Sequence, residues 1–562
     1  MKKNSESSSH PTELEADGQE RRVLFEQMIQ SELDAMIGSK PSGEESFYDL
    51  GLNSIQFTQL GSRLAAGSGI SLPNALTMKY PSVAQLTDYL TETSSGHQDS
   101  LPRCSSSSDA CFPQLYNQQE CHLWHDQVAN KAFLHLCLPI RIVSPVDARA
   151  MQEALQDLVD RHTALRTSYF RQRGQPVQRI LDAKSVVLET VDVVEASWKA
   201  AAFQIQEAAV RPFDLEHDPL LRGHLFSRGP DDNLLLLVTH HIAVDATAFS
   251  ILLNEFFVLY EARRTGREQT LPDVDWTFAD FAHWQTAMLQ GPEGERLRNH
   301  WHQQLAGVVP GIDLPTDYPR NRLASHNGAS HFFQLESRLV LALRGLARKQ
   351  EGTLYMVLLA AFQWLLHHYS GQDDILVATH TQNREKPELV NLVGYLSDTV
   401  AIRTHIPENA RFGELVRQVR NAVVNALEFQ GYPMKLLERD LQLQTDSLCN
   451  VWFTMLPQQL YGAVAPLFSC KNTQPVNLGG LCLEAVHDLI PPWLGVWYDL
   501  ELNLMEKLED VSGTLTYSTD MFHEETIVRM ASDYKRLLQA IVDDPDPMTA
   551  NLSASLLVMN KA

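Results

Sequence analysis

The chain has 562 residues, of which 44% are apolar, so it can form more than one hydrophobic core. Its 46 basic and 69 acidic side chains give a net charge of −23, which opposes binding to nucleic acid or to an anionic lipid surface. The longest apolar run, residues 354–362, is far shorter than the ~20 residues of a membrane span, and the polar residues 1–18 lack a signal-peptide core. We therefore expect a cytoplasmic protein with neither nucleic acid nor a membrane as partner.

The first part of the chain predicts a small helical bundle. Residues 1–18 are polar and predict disorder, whereas residues 19–92 carry apolar residues at helical spacing. One helix is expected over residues 21–37, a second begins near Ser54 and ends at Gly67-Ser68-Gly69, and a short one follows Pro81. Residues 93–111 are rich in serine and predict a flexible linker, with a reach on the order of 25 Å.

From residue 112 onward, helical patterns alternate with β-rich runs, which predicts an α/β region. A mixed segment near residues 273–294 separates two comparable blocks, so we expect two lobes, over residues 112–285 and 286–562. The expected elements are helices at 148–161, 246–263, 353–368, 412–428 and 525–542, and strands at 234–239 and 375–379.

Two histidines at the end of an apolar strand are the strongest local candidates for chemistry. Residues 234–239 are five apolar residues and a threonine, and they are followed by His240, His241 and, four residues after His241, Asp245. An unprotonated imidazole at a strand end can accept a proton from an amine or a hydroxyl, and the carboxylate can fix the loop or bind a basic residue. Alone, this HHxxxD string is a weak signal.

Ser54 is the second candidate. A serine after a glycine-containing turn and at the start of a helix is most often an N-cap, although its hydroxyl can also be a site of covalent modification.

Other motif classes are missing from the sequence. It has no P-loop, no GxGxxG after a strand and no GxSxG, so nucleotide hydrolysis, dinucleotide redox chemistry and α/β-hydrolase chemistry are without support. The seven cysteines form no CxxC pair or regular array, and we expect reduced thiols, no disulfide framework and no metal site.

Residues 20–92 resemble a thiolation domain, the acyl or peptidyl carrier of nonribosomal peptide and hybrid polyketide synthetases. Residues 47–55, FYDLGLNSI, match the carrier pattern F-x-D-L-G-x-D-S-[LI], with Asn53 where Asp or His is usual. The resemblance implies that Ser54 receives 4'-phosphopantetheine from a phosphopantetheinyl transferase. Asn53 leaves the type of carrier, polyketide-like or peptide-like, open.

Residues 112 to about 550 are similar to the condensation domains of nonribosomal peptide synthetases. Several ordered segments carry this likeness, and the ordered set is far more specific than any one of them. The segments are residues 161–167 (RHTALRT), 211–215 (RPFDL) with 219–222 (PLLR), 240–245 (HHIAVD), 278–284 (FADFAHW), 314–320 (LPTDYPR), 393–399 (VGYLSDT) and 517–520 (YSTD) with Phe522.

The resemblance implies a fold and a set of roles. The fold would be an all-α four-helix carrier bundle followed by an α/β region of two lobes in a V, each like chloramphenicol acetyltransferase, with a tunnel between them. His241 would meet the nucleophile and the donor thioester, as a base or by stabilising charge, and His240 would support the loop. Asp245 would pair with an arginine, for which Arg161 and Arg166 are the candidates.

The implied reaction joins a carrier-bound acyl or peptidyl chain to an amine or a hydroxyl. An upstream synthase or synthetase would load the carrier, and the carrier would feed the condensation domain that follows it. No adenylation domain follows in this sequence, so the acceptor would be a downstream aminoacyl carrier or a free small molecule.

Three departures from the family pattern bear on activity. Ala246 stands where glycine is usual, and a methyl group would strain the chain there if that position needs a positive φ. Residues 117–124 meet the usual opening motif only loosely, and Asp398 replaces an asparagine.

Two other interpretations stay open. An epimerization domain shares HHxxxD and also follows a carrier, although only the WFT core of its later motif occurs, at residues 452–454. Alternatively, Ala246 marks a catalytically silent, condensation-like docking module.

Overall fold

The computed structural model describes residues 18–93 and 111–552, except 71, 74, 194, 196, 321–324, 385, 408–409, 444–446, 469–473, 487–488, 491–493, 545 and 550. The described residues form two compact units that divide within the predicted linker. Residues 1–17 and 94–110, predicted to be disordered or flexible, lie outside the described residues.

The first unit is a bundle of the helices α1 (Gly18–Ile37), α2 (Ser54–Ser68), α3 (Leu76–Lys79) and α4 (Val83–Thr93). Its core is apolar and includes Leu33 and Leu60, and the ring of Tyr48 lies 4.7 Å from that of Phe57. Helix α2 ends where predicted, because Gly69 adopts a left-handed φ of 67° that caps it.

The second unit contains two six-stranded sheets and one three-stranded sheet among its described residues. Its helices are α5 (Tyr116–Gln127), α6 (Ala148–Arg161), α7 (Trp198–Val210), α8 (Ala246–Thr265), α9 (Phe278–Gln290), α10 (Pro292–Gln304), α11 (Ser337–Lys349), α12 (Leu354–Ser370), α13 (Phe412–Glu428), α14 (Met434–Asp440) and α15 (Glu524–Asp543). Short 3₁₀ segments lie at Lys131–Leu134, Thr163–Arg166, Pro387–Leu389 and Gln458–Phe468.

The strands of this unit are β1 (Phe112–Pro113), β2 (His135–Ile142), β3 (Thr167–Gln172), β4 (Gln175–Ile180), β5 (Leu188–Asp192), β6 (Leu221–Gly229), β7 (Asp232–His240), β8 (Gly328–Leu335), β9 (Asp374–Thr381), β10 (Asp398–His405), β11 (Val451–Pro457), β12 (Val476–Leu478), β13 (Leu481–Ala485), β14 (Leu500–Glu506) and β15 (Val511–Ser518). The small sheet has the order β1-β4-β3. The larger ones, named here the first and the second sheet, have the orders β12-β13-β2-β7-β6-β5 and β10-β9-β11-β14-β15-β8.

Strand β7 lies inside the first sheet, between β2 and β6. Residues 234–238 are all at most 2% exposed, which explains why this strand has a continuous apolar run instead of an alternating pattern. The end of β7 at His240 and the start of α8 at Ala246 place the two histidines at the carboxyl end of a rigid strand.

The hairpin of β12 and β13 departs from the lobe boundary predicted at residue 285. Strand β13 pairs antiparallel with β2, with Leu483 opposite Ile142 and Ala485 opposite Ile140. A strand from the second half therefore completes the first sheet and covers one edge of β2.

The predicted fold class, a helical bundle followed by a two-lobed α/β unit, is confirmed. Helices α6 and α13 have the predicted bounds, and α8, α12 and α15 differ from theirs by one or two residues at an end. Among the described residues, no helix is both long and apolar enough to cross a membrane.

Candidate active site

The loop after β7 opens into a large cavity of about 1980 Å³. His241 and Ala246 line it from the side of the first sheet, and Trp452 and Glu501 line it from the second sheet. The predicted strand-end site thus faces a space enclosed by both halves of the second unit.

His240 is a buried structural residue. Its Nδ1 accepts a hydrogen bond of 3.1 Å from the backbone N–H of Ile242, so the neutral ring carries its proton on Nε2 and donates it to Nδ1 of His125 at 3.3 Å. Complete burial holds the pKa of His240 well below its usual value. The ring therefore stays neutral and fixes the loop.

His241 is partly exposed and faces the cavity. Its backbone N–H donates to Leu134 O at 2.8 Å, and its ring centroid lies 4.6 Å from that of Tyr395 and 5.1 Å from that of Trp497. Desolvation by these surroundings lowers the pKa of His241, although Asp245 opposes the shift. At neutral pH the ring is uncharged and can accept a proton.

Asp245 ties the loop after β7 to the other half of the unit. Its Oδ1 and Oδ2 accept two hydrogen bonds of 3.0 and 2.9 Å from Arg384, and both side chains are almost fully buried. Oδ2 also accepts from the backbone N–H groups of Leu396 and Ser397, and Oδ1 accepts from Ala248 N–H at 2.8 Å as the N-cap of α8. Although burial opposes it, Arg384 lowers the pKa of Asp245.

The predicted pairing of Asp245 with Arg161 or Arg166 is wrong. Arg161 donates to Glu255 at 2.9 Å and to the carbonyl of Pro272, and Arg166 donates to the carbonyl of Leu181. Glu255 also binds Nε2 of His162 at 2.7 Å, so Arg161 belongs to a separate network between α6 and α8. The true partner, Arg384, follows β9, at the end of a strand of the other sheet.

Helix α5 contains the loosely matching opening segment, residues 117–124, and hydrogen-bonds to the loops around Asp245. Asn117 Nδ2 donates to the carbonyls of Tyr395 and Ser397, and Gln118 Nε2 donates to Ile242 O at 3.2 Å. Gly394 allows this loop to pack closely against α9, since a Cβ at residue 394 would lie 2.2 Å from Cδ2 of Phe278.

Ala246 does not strain the backbone. It is the first residue of α8, and it is not among the residues with positive φ. The physical reason given for loss of catalysis at this position therefore does not apply, and the Ala246 methyl group is part of the cavity wall.

A second set of polar groups lines the cavity, of which sequence reasoning missed Glu501 and noted Asp398 only as a departure from the family pattern. Glu501 and Asp398 are only 8% and 9% exposed, and neither forms an ion pair with a described residue. Burial raises the pKa of Glu501 to about 7 and that of Asp398 to about 6. The alternating pattern of residues 500–506, LELNLME, could have located Glu501 on one face of a strand.

In the first unit, Asn53 and not Ser54 caps α2. Asn53 Oδ1 accepts from Gln56 N–H at 2.9 Å, and Gln56 Oε1 accepts from Asn53 N–H at 3.0 Å, which completes a capping box. The N-cap interpretation of Ser54 is therefore wrong. Ser54 is the half-buried first residue of the helix.

Metal binding and disulfide formation find no support among the described residues. No group of three or more His, Cys, Asp or Glu side chains there is placed to hold a metal ion. Of the cysteines, Cys111, Cys121, Cys449 and Cys482 are free thiols, whereas Cys104 and Cys470 lie outside the described residues.

Comparison with known families assigns both units. Residues 114–555 match the condensation domain model, and residues 26–90 match the phosphopantetheine attachment site model.

Relatives of known name are peptide synthetases. The chain is 32% identical over 455 residues to phosphinothricin tripeptide synthetase PhsC of Streptomyces viridochromogenes, covering 80% of this chain and 41% of that one. It is 29% identical over 508 residues to tyrocidine synthase 3 of Brevibacillus parabrevis, covering 90% of this chain and 8% of that one. The chain thus spans less than half the length of each of these relatives.

Solved structures share the fold of the second unit. The X-domain from teicoplanin biosynthesis superposes with a TM-score of 0.70 at 22% identity, covering 80% of this chain and 99% of that one. The first condensation domain of the calcium-dependent antibiotic synthetase, in complex with a substrate analogue, gives 0.64 at 17% identity, covering 79% and 99%.

The carrier unit fits the covalent cofactor that its family implies, 4'-phosphopantetheine on a serine. Ser54 begins a helix of 15 residues whose first turn contains no acidic side chain. A phosphodiester there would lie beside the backbone N–H groups at the positive end of the helix.

A first prediction concerns the cap of α2. Replacing Asn53 by Ala removes the acceptor of the Gln56 N–H, and we expect local opening of the helix start to become easier by about 1 kcal/mol. Amide exchange of the intact chain, followed by mass spectrometry over residues 54–60, measures this. Asn53→Asp retains an acceptor and is the control; equal protection in Asn53→Ala and the wild type would contradict the assignment.

A second prediction concerns the buried ion pair. Arg384→Ala leaves Asp245 buried without its counter-charge, so we expect the free energy of unfolding at pH 7 to fall by about 3–5 kcal/mol. The folded-state pKa of Asp245 is lowered, so the carboxylate stabilises the fold above its unfolded pKa of about 3.9, and this is lost as the pH falls through the folded value.

Denaturant unfolding monitored by tryptophan fluorescence measures the loss. The control is Arg296→Ala, which removes an exposed pair with Glu293 expected to contribute less than about 1 kcal/mol. If the two variants unfold at the same denaturant concentration, the Asp245–Arg384 pair does not contribute the expected free energy of unfolding.

Proposed function

We propose that this chain, which belongs to the condensation domain family, joins an acyl or peptidyl chain from its own carrier domain to an amine, forming an amide. A hydroxyl acceptor would give an ester by the same route. The observation that carries the proposal is the uncharged imidazole of His241, held at a strand end and facing a cavity enclosed by both halves.

Ser54 is the proposed attachment site of 4'-phosphopantetheine, which when bound supplies a thioester whose carbonyl is open to attack. A phosphopantetheinyl transferase would add it, and an upstream synthase or synthetase would load the acyl chain. The acceptor would be a downstream aminoacyl carrier or a free small molecule. The named relatives are synthetases, which supports partners of this kind.

His241 is proposed to accept the proton that the attacking amine loses as its nitrogen bonds to the acyl carbon. The proton held on His241 would then pass to the leaving sulfur, so that the products would be an amide and a free thiol. Contacts of the imidazole with Tyr395 and Trp497 fix the plane of the ring. Fixing it in advance lowers the entropic cost of reaching the transition state.

The roles of the other motif residues differ from that of His241. His240 and Asp245 have their hydrogen bonds satisfied within the protein and are proposed to hold the loop. Ala246, with its helical backbone, is compatible with an active site.

A third prediction tests the reaction itself. The carrier is loaded with an acyl group, mixed with a panel of amines, alcohols and aminoacyl carriers, and followed by intact-protein mass spectrometry. We expect an acceptor-dependent loss of the acyl mass and formation of the matching amide or ester, slowed at least about 100-fold in His241→Ala because proton transfer contributes that much.

Ser54→Ala is the second control and should take up no phosphopantetheine mass. Equal rates in wild type and His241→Ala would overturn the proposed role of His241. No acyl loss beyond the background of His241→Ala with any acceptor would favour a silent or an epimerizing domain, and solvent-proton exchange at the α-carbon of the acyl group would favour the epimerizing one.

A fourth prediction concerns pH. The neutral ring of His241 is the active form, and its pKa lies below the ordinary value of about 6.5. The transfer rate per neutral acceptor amine should therefore decline as the pH falls, with a midpoint below pH 6.5.

Asp398 and Glu501 titrate in the same range, so the profile is repeated in Asp398→Asn and Glu501→Gln. A midpoint at or above pH 6.5 in all three proteins would contradict the lowered pKa of His241.

A further inference from the structure

Three neighbouring strands of the second sheet present one polar patch to the cavity. Trp452 on β11 lies in register with Ala378 on β9 and with Glu501 on β14, and two residues further along β11 Thr454 lies in register with Asn503. All of these side chains line the cavity. We name the part formed by Glu501, Trp452, Tyr498 and His380 the carboxylate pocket.

Aromatic rings flank the carboxylate of this pocket. The rings of Trp452 and Tyr498 are stacked with centroids 5.1 Å apart at 24°, and the ring of His380 is stacked with that of Trp452 at 5.9 Å. Glu501 Oε1 accepts from the backbone N–H groups of Trp497 and Tyr498 at 2.8 and 3.2 Å, which fixes the position of the carboxylate in the pocket.

No protein cation neutralises Glu501 among the described residues. The described cations that line the cavity already have carboxylate partners elsewhere. These pairs are Arg171 with Asp126, Arg320 with Asp499, Lys435 with Glu120 and Glu438, and Arg439 with Asp440. Burial also lowers the pKa of His380 to about 4, so this neighbour is uncharged at neutral pH.

A buried carboxylate beside ring faces has the chemistry that recognises a cation. Burying the charge unpaired is costly, whereas a bound ammonium or guanidinium supplies both a counter-charge and hydrogen-bond donors. A neutral or anionic group would not supply the counter-charge.

We propose that the carboxylate pocket selects substrates with a cationic side chain, an alkylammonium or a guanidinium, through Glu501. This inference rests on the proposed function, which assigns the cavity to the reacting chains. The cationic group can belong to the acyl donor or to the acceptor, and the two are separated by the probes below.

Binding without chemistry is the first test. Lysyl-pantetheine amide and norleucyl-pantetheine amide, whose side chain carries no charge, are titrated into the full chain, and binding is followed by calorimetry. The forms with a free α-amine stand in for the acceptor, and the N-acetylated forms stand in for the donor. We expect the lysyl form to bind at least about 10-fold more tightly in one of the two sets, and this ratio to fall to about twofold or less in Glu501→Gln.

The glutamine variant is suitable because its amide oxygen can still accept the N–H groups of Trp497 and Tyr498. The matched control is Asp313→Asn, which removes one charge from an exposed carboxylate at the cavity wall and should keep the preference. Equal binding of both amides to the wild type overturns the proposal. A preference for the lysyl amide that survives in Glu501→Gln also overturns it. The same holds if Asp313→Asn abolishes the preference as completely as Glu501→Gln does.

Turnover separates a specificity role from a purely structural one. The ratio of kcat/KM for the lysyl over the norleucyl substrate should fall at least about 10-fold in Glu501→Gln. An equal loss for both substrates would mean that Glu501 only positions Trp497, and the proposal would be wrong. If no transfer occurs with any substrate while the lysyl binding preference persists, the proposed reaction fails and the cation pocket stands.

Discussion

The buried ion pair of Asp245 with Arg384 is the interaction on which the site depends. It joins the loop after β7 to the residues that follow β9, and its carboxylate also accepts backbone N–H groups from Leu396 and Ser397. One side chain thus starts α8 and fixes two loops of the other half. Tyr395, whose ring faces that of His241, is positioned by this junction, because it lies between Gly394 and Leu396, which both hydrogen-bond to Asp245.

Desolvation decides the charge state of the groups around the cavity. The same burial that lowers the pKa of His241 raises that of Glu501 to about 7 and that of Asp398 to about 6. Bases lose their protons and acids keep theirs more readily than in water. The cavity therefore offers an uncharged proton acceptor next to carboxyl groups that gain most from a bound cation.

Local patterns predicted five helices of the second unit, the strand before the histidines and the carrier bundle, because periodicity and caps act within a few residues. The partner of Asp245 was beyond such reasoning. Arg384 lies 139 residues away in the chain, and only the arrangement of the two sheets brings it to the carboxylate. Arg161 and Arg166 were nearer in sequence, but the end of α6 directs Arg161 to Glu255 instead.

The same limit applied to the carboxylate pocket. The alternating pattern of β14 places Glu501 on one face of the strand. Its role depends on the residues that the parallel pairing with β11 places beside it. Trp452 lies beside it across the sheet, although the two are far apart along the chain. A sequence shows that a charge lies on a strand, whereas the register shows which rings surround that charge.

The packing of the motif also explains why the HHxxxD string is by itself a weak indicator of catalysis. His240 is fully buried and Asp245 is saturated with internal hydrogen bonds, so both would be required by a domain that performs no reaction. His241 differs, because its ring is open to the cavity and makes its closest ring contacts with Tyr395 and Trp497. The access of this uncharged imidazole to the cavity favours a chemical role for that one residue of the motif.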